Sequence, residues 1–513
     1  MLDTGCGLKV SRAARVECRA FAYPELWPMR WLDLGVIVAY LVGITWFGAR
    51  FRGSQNSLKD YFLGGRRAPW WAISLSIVSA ETSTLTVIGT PSLSFNGNFG
   101  FLQLVLGYLL ARLVIATLFL PAYFRGEMYT AYELMRIRFG TRIRRLTAGT
   151  FLILRALAEG VRVFAISIVI SVVLGTGEMA SIGAILCLTL LYTYEGGMTA
   201  VIWTDVVQMT LYVAGALVSL FLVLREIPGG WGHVVAVAEP LGKLQVFDFR
   251  IGPVAEFFTR TYSFWAGIIG GCFLTTASHG TEQLLVQRLL AAKDERQSRA
   301  ALLSSWVVIF VQFTLFLIVG VCLFTLYKDH GWTAPAVTDS IYPRFIWEKL
   351  PAGLSGLLIA AILAAAMSNL SAALNSLAST TVMDFLRPFG GGESGNESLW
   401  LKRARLATIA WGVILAGVAL LARNWGGVLQ AGLTIASIIY GSLLGVFLLG
   451  LLTRRVGEIA AMCGMVAGLA LMLYVRFATP IAFTWYVVIG TAMTFVTGLV
   501  MSLFLKENPR AAV

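Results

Sequence analysis

The sequence predicts an all-α, polytopic membrane protein, and three observations lead to this fold class. Of the 513 residues, 58% are hydrophobic and only 13% are charged, with a mean hydropathy of +0.77. A membrane-spanning helix needs about 20 apolar residues, and the chain contains about 13 apolar stretches of suitable length. Two of these stretches are interrupted by polar residues, which is unusual for helices that face lipid.

The apolar stretches follow one another along nearly the whole chain. The first three are Trp31–Phe51, Trp70–Phe95 and Phe99–Phe124. The others are one that ends near Leu174, Met179–Tyr194, one that follows the link 194–208, Tyr262–Glu282, Ala301–Tyr327, Leu354–Phe385, one after the charged link 387–405, and those near 430–452, 457–475 and 482–505. A longer polar loop, 225–260, separates the sixth stretch from the seventh.

The net charge of +13 is explained by basic loops and not by a surface for nucleic acid. Lysines and arginines cluster at 50–67, 125–145, 288–299 and 387–405, and again after residue 453. Basic residues concentrate in cytoplasmic loops. This alternation therefore predicts a multi-pass protein of the plasma (inner) membrane, with its N-terminus outside and its C-terminus in the cytoplasm.

The N-terminal residues, the cysteines and the histidines do not indicate a signal peptide, a disulfide framework or a metal site. Residues 1–28 carry four basic residues but no long apolar core, so we expect a disordered or non-native extension there, not a signal peptide. Residues 29–513 are then expected to form a single transmembrane domain. Six scattered cysteines and three histidines indicate neither a disulfide framework nor a metal cluster, and no cofactor is expected.

The stretch Ile77–Pro91, IVSAETSTLTVIGTP, is the first of the two interrupted segments. It combines an acid, Glu81, with a run of five hydroxyl side chains at 79–86, a glycine and a proline. An unpaired polar group in hydrocarbon costs several kcal/mol, so a helix facing lipid has no use for this composition. We interpret it as a buried, broken helix around a small polar cargo. The second interrupted segment is Gly267–Gln283, GIIGGCFLTTASHGTEQ.

Six motifs occur in order between residues 60 and 384. They are DYFLGGR at 60–66, the stretch at 77–91, TAYELMRIRFG at 130–140, GGMTAVIWTDVVQ at 196–208, TEQLLVQRLLAAKD at 281–294 and AAAMSNLSAALNSLASTTVMD at 364–384. Together they resemble the sodium/solute symporter family, which includes sodium/glucose, sodium/proline, sodium/iodide and sodium/monocarboxylate carriers. The resemblance implies a leucine-transporter-like fold of two inverted five-helix repeats, about 70–224 and 262–452, with broken core helices 1 and 6.

A sodium site is implied by the same resemblance. It would join the break of core helix 1, through the carbonyls of Ser79 and Thr82, to core helix 8, through the carbonyl of Ala365 and the side chains of Ser368 and Asn369. Relatives usually carry a hydroxyl where this chain has Asn369. Its amide oxygen can bind sodium, but asparagine is bulkier and its NH2 group repels cations. The alternative for Ser368 and Asn369 is helix packing with a hydrogen bond between helices.

Two acids are candidates for a coupling role or a second cation site. Glu81 occupies the place of an acid that is important for sodium in sodium/proline-type relatives. It could tune the cation site, take up a proton, or form a structural ion pair, for which Arg112 is a candidate partner. Asp205 matches a family motif near the cytoplasmic end of core helix 5. It could belong to the sodium exit route or to a second sodium site, or it could be a helix N-terminal acid favoured by the helix dipole.

The fourth span places three charged residues on one helix face. Arg155, Glu159 and Arg162 are spaced i, i+4 and i+7, which leaves a surplus of one positive charge. Either Glu81 or an anionic substrate could neutralise this surplus. Because arginine binds carboxylates in a bidentate manner, an organic anion is the favoured substrate. A purely structural ladder of charges is the alternative.

Further substrate contacts are expected at the two breaks. Ser83 and Thr86 lie in the first break, and Thr275, Ser278 and His279 lie in the second. Sugar-carrying relatives have asparagine and aromatic residues near the second break, so these residues argue against a hexose. His279 could also be a structural histidine.

These features predict a secondary active transporter that couples sodium to a small polar solute by alternating access. Proton coupling through Glu81 is one alternative, and a transport-like membrane sensor that needs a separate signalling partner is another. No HExxH, GxSxG or GxxxxGK[ST] pattern is evident, so neither an enzyme nor an ATP-driven pump is expected. The expected partners are a small solute, sodium and the lipid bilayer, and the oligomeric state is not indicated.

Overall fold

A computed structural model describes residues 30–51, 57–125, 128–174, 178–335, 338–387, 397–422 and 428–505. In these ranges the regular structure is helical, apart from one isolated bridge between Ala68 and Ala292. The predicted extension at 1–28 lies outside the described residues, as do the basic residues beyond 505. The single domain and the repeat boundaries stay predictions.

The described residues from 30 to 238 form nine α-helices. They are α1 Trp31–Ala49, α2 Leu58–Leu63, α3 Trp70–Glu81, α4 Thr84–Asn96, α5 Phe101–Tyr123, α6 Ala131–Arg138, α7 Thr141–Leu174, α8 Glu178–Glu226 and α9 Gly230–Ala238. A kink at Gly197, with φ +53°, divides α8 into two arms. One turn of α5, Ile115–Phe119, is a π-helix.

From residue 254 onward, the part of the chain that the structure describes forms ten α-helices. They are α10 Val254–Thr259, α11 Gly271–Gly280, α12 Gln283–Leu290, α13 Glu295–Asp329, α14 Ile341–Lys349, α15 Leu354–Leu386, α16 Glu397–Ala422, α17 Val428–Leu452, α18 Glu458–Ala478 and α19 Tyr486–Phe504. A π-helical turn, Ala266–Gly270, leads into α11.

Many of these helices are long and apolar enough to cross a membrane. Among the described residues there are nine such helices, or ten when the bent pair of α3 and α4 is counted as one span. The chain is therefore a multi-pass membrane protein. The prediction of about 13 spans is not confirmed in number, and the orientation of the termini stays a prediction.

The first predicted break is confirmed between α3 and α4, whose axes bend by 61°. Thr82 and Ser83 leave the helical conformation, with ψ angles of 107° and 169°. The Ser83 amide, which a continuous helix would direct to the Ser79 carbonyl, donates instead to Thr86 Oγ1 at 3.2 Å. Ser83 and Thr86 together form a capping box that starts α4. The Ser79 carbonyl therefore loses its helical partner.

The second predicted break is also confirmed, and it lies at the end of the predicted segment. α11 ends at Gly280, Glu282 has an extended conformation with ψ 127°, and α12 begins at Gln283. Thr275, Ser278 and His279 lie in the last turns of α11, before the break. Helix ends expose free backbone groups, so both breaks can bind polar partners.

Small residues let the two broken helices pack closely against their neighbours. A methyl group on Gly271 of α11 would overlap the Leu104 carbonyl of α5. A methyl group on Gly320 of α13 would likewise overlap the Pro91 carbonyl of α4. Close backbone approach of this kind is typical of helix contacts in membranes.

Replacing Gly271 with alanine is expected to lower stability by about 1–3 kcal/mol, because the new methyl group forces α5 and α11 apart. Thermal unfolding of the detergent-solubilised protein measures this loss. Gly417→Ala in α16 is the matched control, since nothing lies within 4 Å of a methyl group there. Equal unfolding temperatures for the two variants would contradict the close contact.

Candidate functional site

The first break is surrounded by three polar clusters that involve side chains from both halves of the chain. We name them after their central residues: the Asp205 cluster (Ser76, Ser79, Asp205, Arg288, Ser368), the Glu81 cluster (Glu81, Arg112, Ser278, His279, Ser305) and the Asn369 cluster (Arg155, Glu159, Arg162, Glu282, Asn369, Tyr440). Apart from Arg162 and Ser278, which are half-buried, and Glu81, which is slightly exposed, these side chains are almost fully buried.

The Asp205 cluster joins four helices, α3, α8, α12 and α15. Asp205 Oδ1 accepts a hydrogen bond from Ser368 Oγ at 2.6 Å, and the Ser368 and Ser79 hydroxyls are 2.5 Å apart. Asp205 Oδ2 accepts from Ser76 Oγ at 2.5 Å and from Arg288 Nη2 at 2.8 Å. Two predicted sites, the sodium site of Ser79 and Ser368 and the second cation site at Asp205, therefore meet in one cluster.

Two further oxygens flank the first break on the side of α8 and α13. Gln312 Nε2 donates to Thr82 Oγ1 at 2.7 Å, while Gln312 Oε1 has no hydrogen-bond partner among the described residues. The hydroxyl of Tyr212 lies beside those of Ser79 and Thr82. Hydroxyl, amide and carboxylate oxygens are ligands that suit hard cations.

The Glu81 cluster links the two breaks. Glu81 Oε2 accepts from Arg112 Nη2 at 2.7 Å, so the candidate ion pair between these residues is present. His279 Nε2 lies 3.3 Å from the same oxygen, and His279 Nδ1 lies 2.8 Å from Ser278 Oγ. Ser278 also donates to the Thr275 carbonyl at 3.3 Å. Of the predicted substrate residues of the second break, His279 therefore lies beside Glu81, and Ser278 contacts its other ring nitrogen.

In the Asn369 cluster the charges on α7 are balanced. Glu159 Oε2 contacts Arg155 Nη2 at 2.8 Å and Arg162 Nη1 at 3.0 Å. Glu282, in the second break, contacts Arg155 Nη1 at 3.1 Å and accepts a hydrogen bond from Tyr440. The expectation that Glu81 or a substrate neutralises the surplus charge on this face is corrected, because Glu282 does so.

Asn369 is oriented by both arginines. Its Oδ1 accepts from Arg155 Nη2 at 2.8 Å and from Arg162 Nη1 at 3.2 Å, and its Nδ2 donates to the Ala80 carbonyl at 3.0 Å. Because two guanidinium groups donate hydrogen bonds to it, the amide oxygen of Asn369 is held on the side of the arginines. The amide nitrogen, and not the predicted oxygen ligand, therefore faces the first break.

A narrow cavity opens beside the start of α4. Ser83 and Thr84 line it from the break, Glu159 and Arg162 from α7, and Asn369 from α15, together with apolar side chains. The side chain of Arg162 is 28% exposed, whereas that of Arg155 is only 5% exposed. Arg162 is therefore the guanidinium that a small anion can reach.

The chain matches the family model described as the sodium:solute symporter family over residues 61–468. This chain belongs to the sodium:solute symporter family.

Two relatives of the symporter show how far the similarity extends. This chain is 28% identical over 461 residues to the sodium-coupled monocarboxylate transporter 1 of Xenopus laevis, and the match covers 89% of this chain and 72% of that protein. It is 30% identical over 453 residues to the human sodium/iodide cotransporter, covering 86% of this chain and 69% of that protein.

Two solved structures share the symporter's fold. A Na+-coupled sialic acid symporter in a substrate-bound, outward-open state matches with a TM-score of 0.85 at 24% identity, over 94% of this chain and 99% of that one. A nucleobase-cation-symport-1 family transporter in a closed conformation matches with a TM-score of 0.53 at 13% identity, over 87% of this chain and 94% of that one. These likenesses confirm the predicted leucine-transporter-like fold.

Sequence reasoning missed several residues of the symporter's site. Glu282, Tyr440, Gln312 and Tyr212 were not singled out, although an acid inside an interrupted apolar segment is the same signal that drew attention to Glu81. Arg288 was counted as a basic residue of a cytoplasmic loop. That reading is wrong, since the side chain is fully buried against Asp205.

Two other arginines of the predicted basic loops are also buried in the symporter. Arg144 contacts Asp384 at 2.6 Å and Glu133 at 2.8 Å, and Arg138 donates to the Thr453 carbonyl at 2.8 Å. These arginines hold the loop after α5 to α15 and α17. The number of arginines in this loop therefore overstates the positive charge that the loop presents to solvent.

Proposed function

We propose that this symporter carries a small organic anion across the membrane together with sodium, by alternating access. The observation that carries the proposal is the first break. Its α3 arm contacts a buried carboxylate surrounded by hydroxyls, and the start of α4 opens onto a cavity that contains the half-exposed Arg162. The names of the relatives, monocarboxylate and iodide, also support an anion as the solute.

The proposed sodium position is beside Asp205 Oδ1. This oxygen contacts only Ser368 Oγ in the cluster, whereas Oδ2 is shared by Ser76 and Arg288. A cation can therefore reach Oδ1 without displacing the guanidinium. The hydroxyls of Ser79 and Ser368 complete this side of the site.

Backbone carbonyls released by the first break are the remaining proposed ligands. The Ser79 carbonyl has lost its helical partner, as the redirected Ser83 amide indicates. The carbonyls of Thr82 and Ala365, implied by the family resemblance, belong to the same proposal. Sodium that enters down a membrane potential contributes about 2.3 kcal/mol per 100 mV for each charge moved.

The proposed anion position is the cavity beside Arg162. A guanidinium binds a carboxylate through two parallel hydrogen bonds. Thr84 Oγ1, which is buried and has no hydrogen-bond partner among the described residues, is a second donor. The apolar wall, which includes Val163, Ile166 and Leu370, suits a short hydrocarbon tail and not a sugar.

We propose that the other predicted substrate residues, except Ser83, hold the two broken helices in place and do not contact the substrate. Thr86 caps α4. His279, Ser278 and Thr275 form a chain of contacts that leads to Glu81. Arg155 is already held by Glu159, Glu282 and Asn369. We propose that these residues shape the breaks while Arg162, Thr84 and Ser83 contact the anion.

Uptake into proteoliposomes tests the proposal, with a panel of labelled monocarboxylates, halides, sugars and amino acids and with or without an inward sodium gradient. Sodium-stimulated uptake of at least one anion is expected. Arg162→Gln is expected to reduce that uptake by about 10-fold or more, since a hydrogen bond to a charged group is worth roughly 1.5–3 kcal/mol.

Arg142→Gln is the control for this experiment, because Arg142 is exposed on the same helix. Its uptake should equal that of the wild type. Sodium-independent uptake of every solute would contradict sodium coupling. Unchanged anion uptake in Arg162→Gln would contradict the proposed anion position.

A further inference from the structure

The side chain of Asn369, in α15, directly contacts the backbone of the first break. The last turn of α3 presents carbonyl oxygens that lack helical amide partners, and such a helix end attracts cations. Asn369 Nδ2 donates to one of these oxygens, that of Ala80, at 3.0 Å. The amide thus links α3 to α15 in the way that a bound cation would.

Two arginines beside Asn369 supply positive charge at the place where a cation would supply it. The guanidinium groups of Arg155 and Arg162 lie 2.8 and 3.2 Å from Asn369 Oδ1. Glu159 and Glu282 balance these two charges, so the Asn369 cluster is neutral as it stands. While no anion is bound at Arg162, an additional cation at this contact would leave the cluster with a surplus positive charge in a buried position.

Asn369 cannot easily turn its oxygen to an ion. Rotation of the amide would place its NH2 group against two guanidinium donors and leave the Ala80 carbonyl without its partner. Asn369 is only 1% exposed, and Arg155, Glu159 and Glu282 beside it are buried, so little space is available on their side for another arrangement. Asn369 is therefore unsuited to be a sodium ligand.

We propose that Asn369, held by Arg155 and Arg162, takes the place of a second sodium ion at the Ala80 carbonyl, between the first break and α15. The symporter then binds a single sodium ion, at the Asp205 cluster. This inference rests on the proposed sodium-coupled transport and specifies its stoichiometry. The link between α3 and α15 is permanent, and only the Asp205 side of the break responds to sodium.

Sodium binding to the purified protein, measured by equilibrium dialysis with radioactive sodium, tests the stoichiometry directly. Wild-type protein is expected to bind one ion per chain, and its uptake is expected to depend hyperbolically on sodium concentration. The charge-balanced double variant Asp205→Asn/Arg288→Met is expected to lose all of this binding. Retention of one bound ion in the double variant would overturn the inference.

Two substitutions of Asn369 complete the experiment. Asn369→Ser removes the amide and offers a hydroxyl, so a second ion can enter and the sodium dependence is expected to become sigmoidal. Asn369→Ala removes the link without offering a ligand, so uptake is expected to fall while the sodium dependence stays hyperbolic. Thermal unfolding of each variant confirms that it is folded.

The outcomes separate the inference from the proposed function. Two bound ions or a sigmoidal dependence in the wild type would overturn the single-ion inference and leave sodium-coupled transport intact. Absence of sodium binding and of sodium-stimulated uptake in the wild type would overturn both. A hyperbolic dependence in Asn369→Ser, with one bound ion, would show that the asparagine does not occupy a cation position.

Discussion

Replacing Arg288 with methionine is expected to destabilise the symporter by about 3–5 kcal/mol, because the substitution leaves the buried Asp205 carboxylate without a compensating charge. Both side chains are fully buried and lie 2.8 Å apart. Arg288 also donates to the Ser76 hydroxyl and to the Leu284 carbonyl, so its loss disrupts the contact between α3 and α12 as well. Thermal or denaturant unfolding in detergent measures the effect.

The double variant Asp205→Asn/Arg288→Met tests the cause. Removing both charges should recover most of the lost stability, since buried ion pairs contribute little net stability relative to neutral side chains. Arg296→Met is the matched control, because Arg296 is exposed shortly after α12. A loss for Arg288→Met no greater than that for Arg296→Met would contradict the structural role of the pair.

Replacing Glu81 with glutamine is the second substitution with a large expected effect. Arg112 is fully buried, and Glu81 supplies its charge partner at 2.7 Å. Removal of the acid leaves an uncompensated guanidinium within the membrane, which is expected to cost about 3 kcal/mol or more of stability and to abolish uptake. Unfolding temperature and proteoliposome uptake are measured on the same preparation.

The double variant Glu81→Gln/Arg112→Gln separates a structural role of Glu81 from a role in transport. If Glu81 only balances Arg112, the double variant regains both stability and uptake. If Glu81 also sets the charge beside the first break, stability returns and uptake does not, and this second result is the one we expect. Recovery of both would contradict a coupling role.

A pH gradient in the absence of sodium tests the alternative of proton coupling through Glu81. Uptake by the wild type is expected to require sodium under these conditions, because the charge of Glu81 is already matched by Arg112. Uptake driven by the pH gradient alone, and lost in Glu81→Gln, would establish proton coupling instead.

The broken helices were predictable because their signals are local. The run of hydroxyls around Glu81 and the capping pair Ser83 and Thr86 lie within ten residues of one another. A polar interruption of an apolar stretch marks a break wherever the chain folds. The second break was placed less accurately, since glycines and threonines extend along the whole of Gly267–Gln283 and only the final turn leaves the helix.

The partners of the charged residues were not predictable in the same way. Arg155 meets Glu282, which is 127 residues away, and Arg288 meets Asp205, which is 83 residues away. Local spacing identified the ladder on α7 but could not identify the acid that completes it. Arg288 lies within the motif at 281–294, at the start of a basic stretch, so the sequence could not distinguish a buried arginine from an exposed one.

The sequence by itself determined that this protein is a helical membrane symporter with a broken helix that carries Glu81, because hydropathy, motif order and polar breaks are properties of the chain. Tertiary structure alone decided how the site is arranged. Asn369 directs its amide nitrogen to the Ala80 carbonyl because two arginines occupy its oxygen. Asp205 meets Ser76 and Ser368 because packing brings α3, α8 and α15 together. Such pairings depend on distances between helices, and those distances are fixed only when the helices pack.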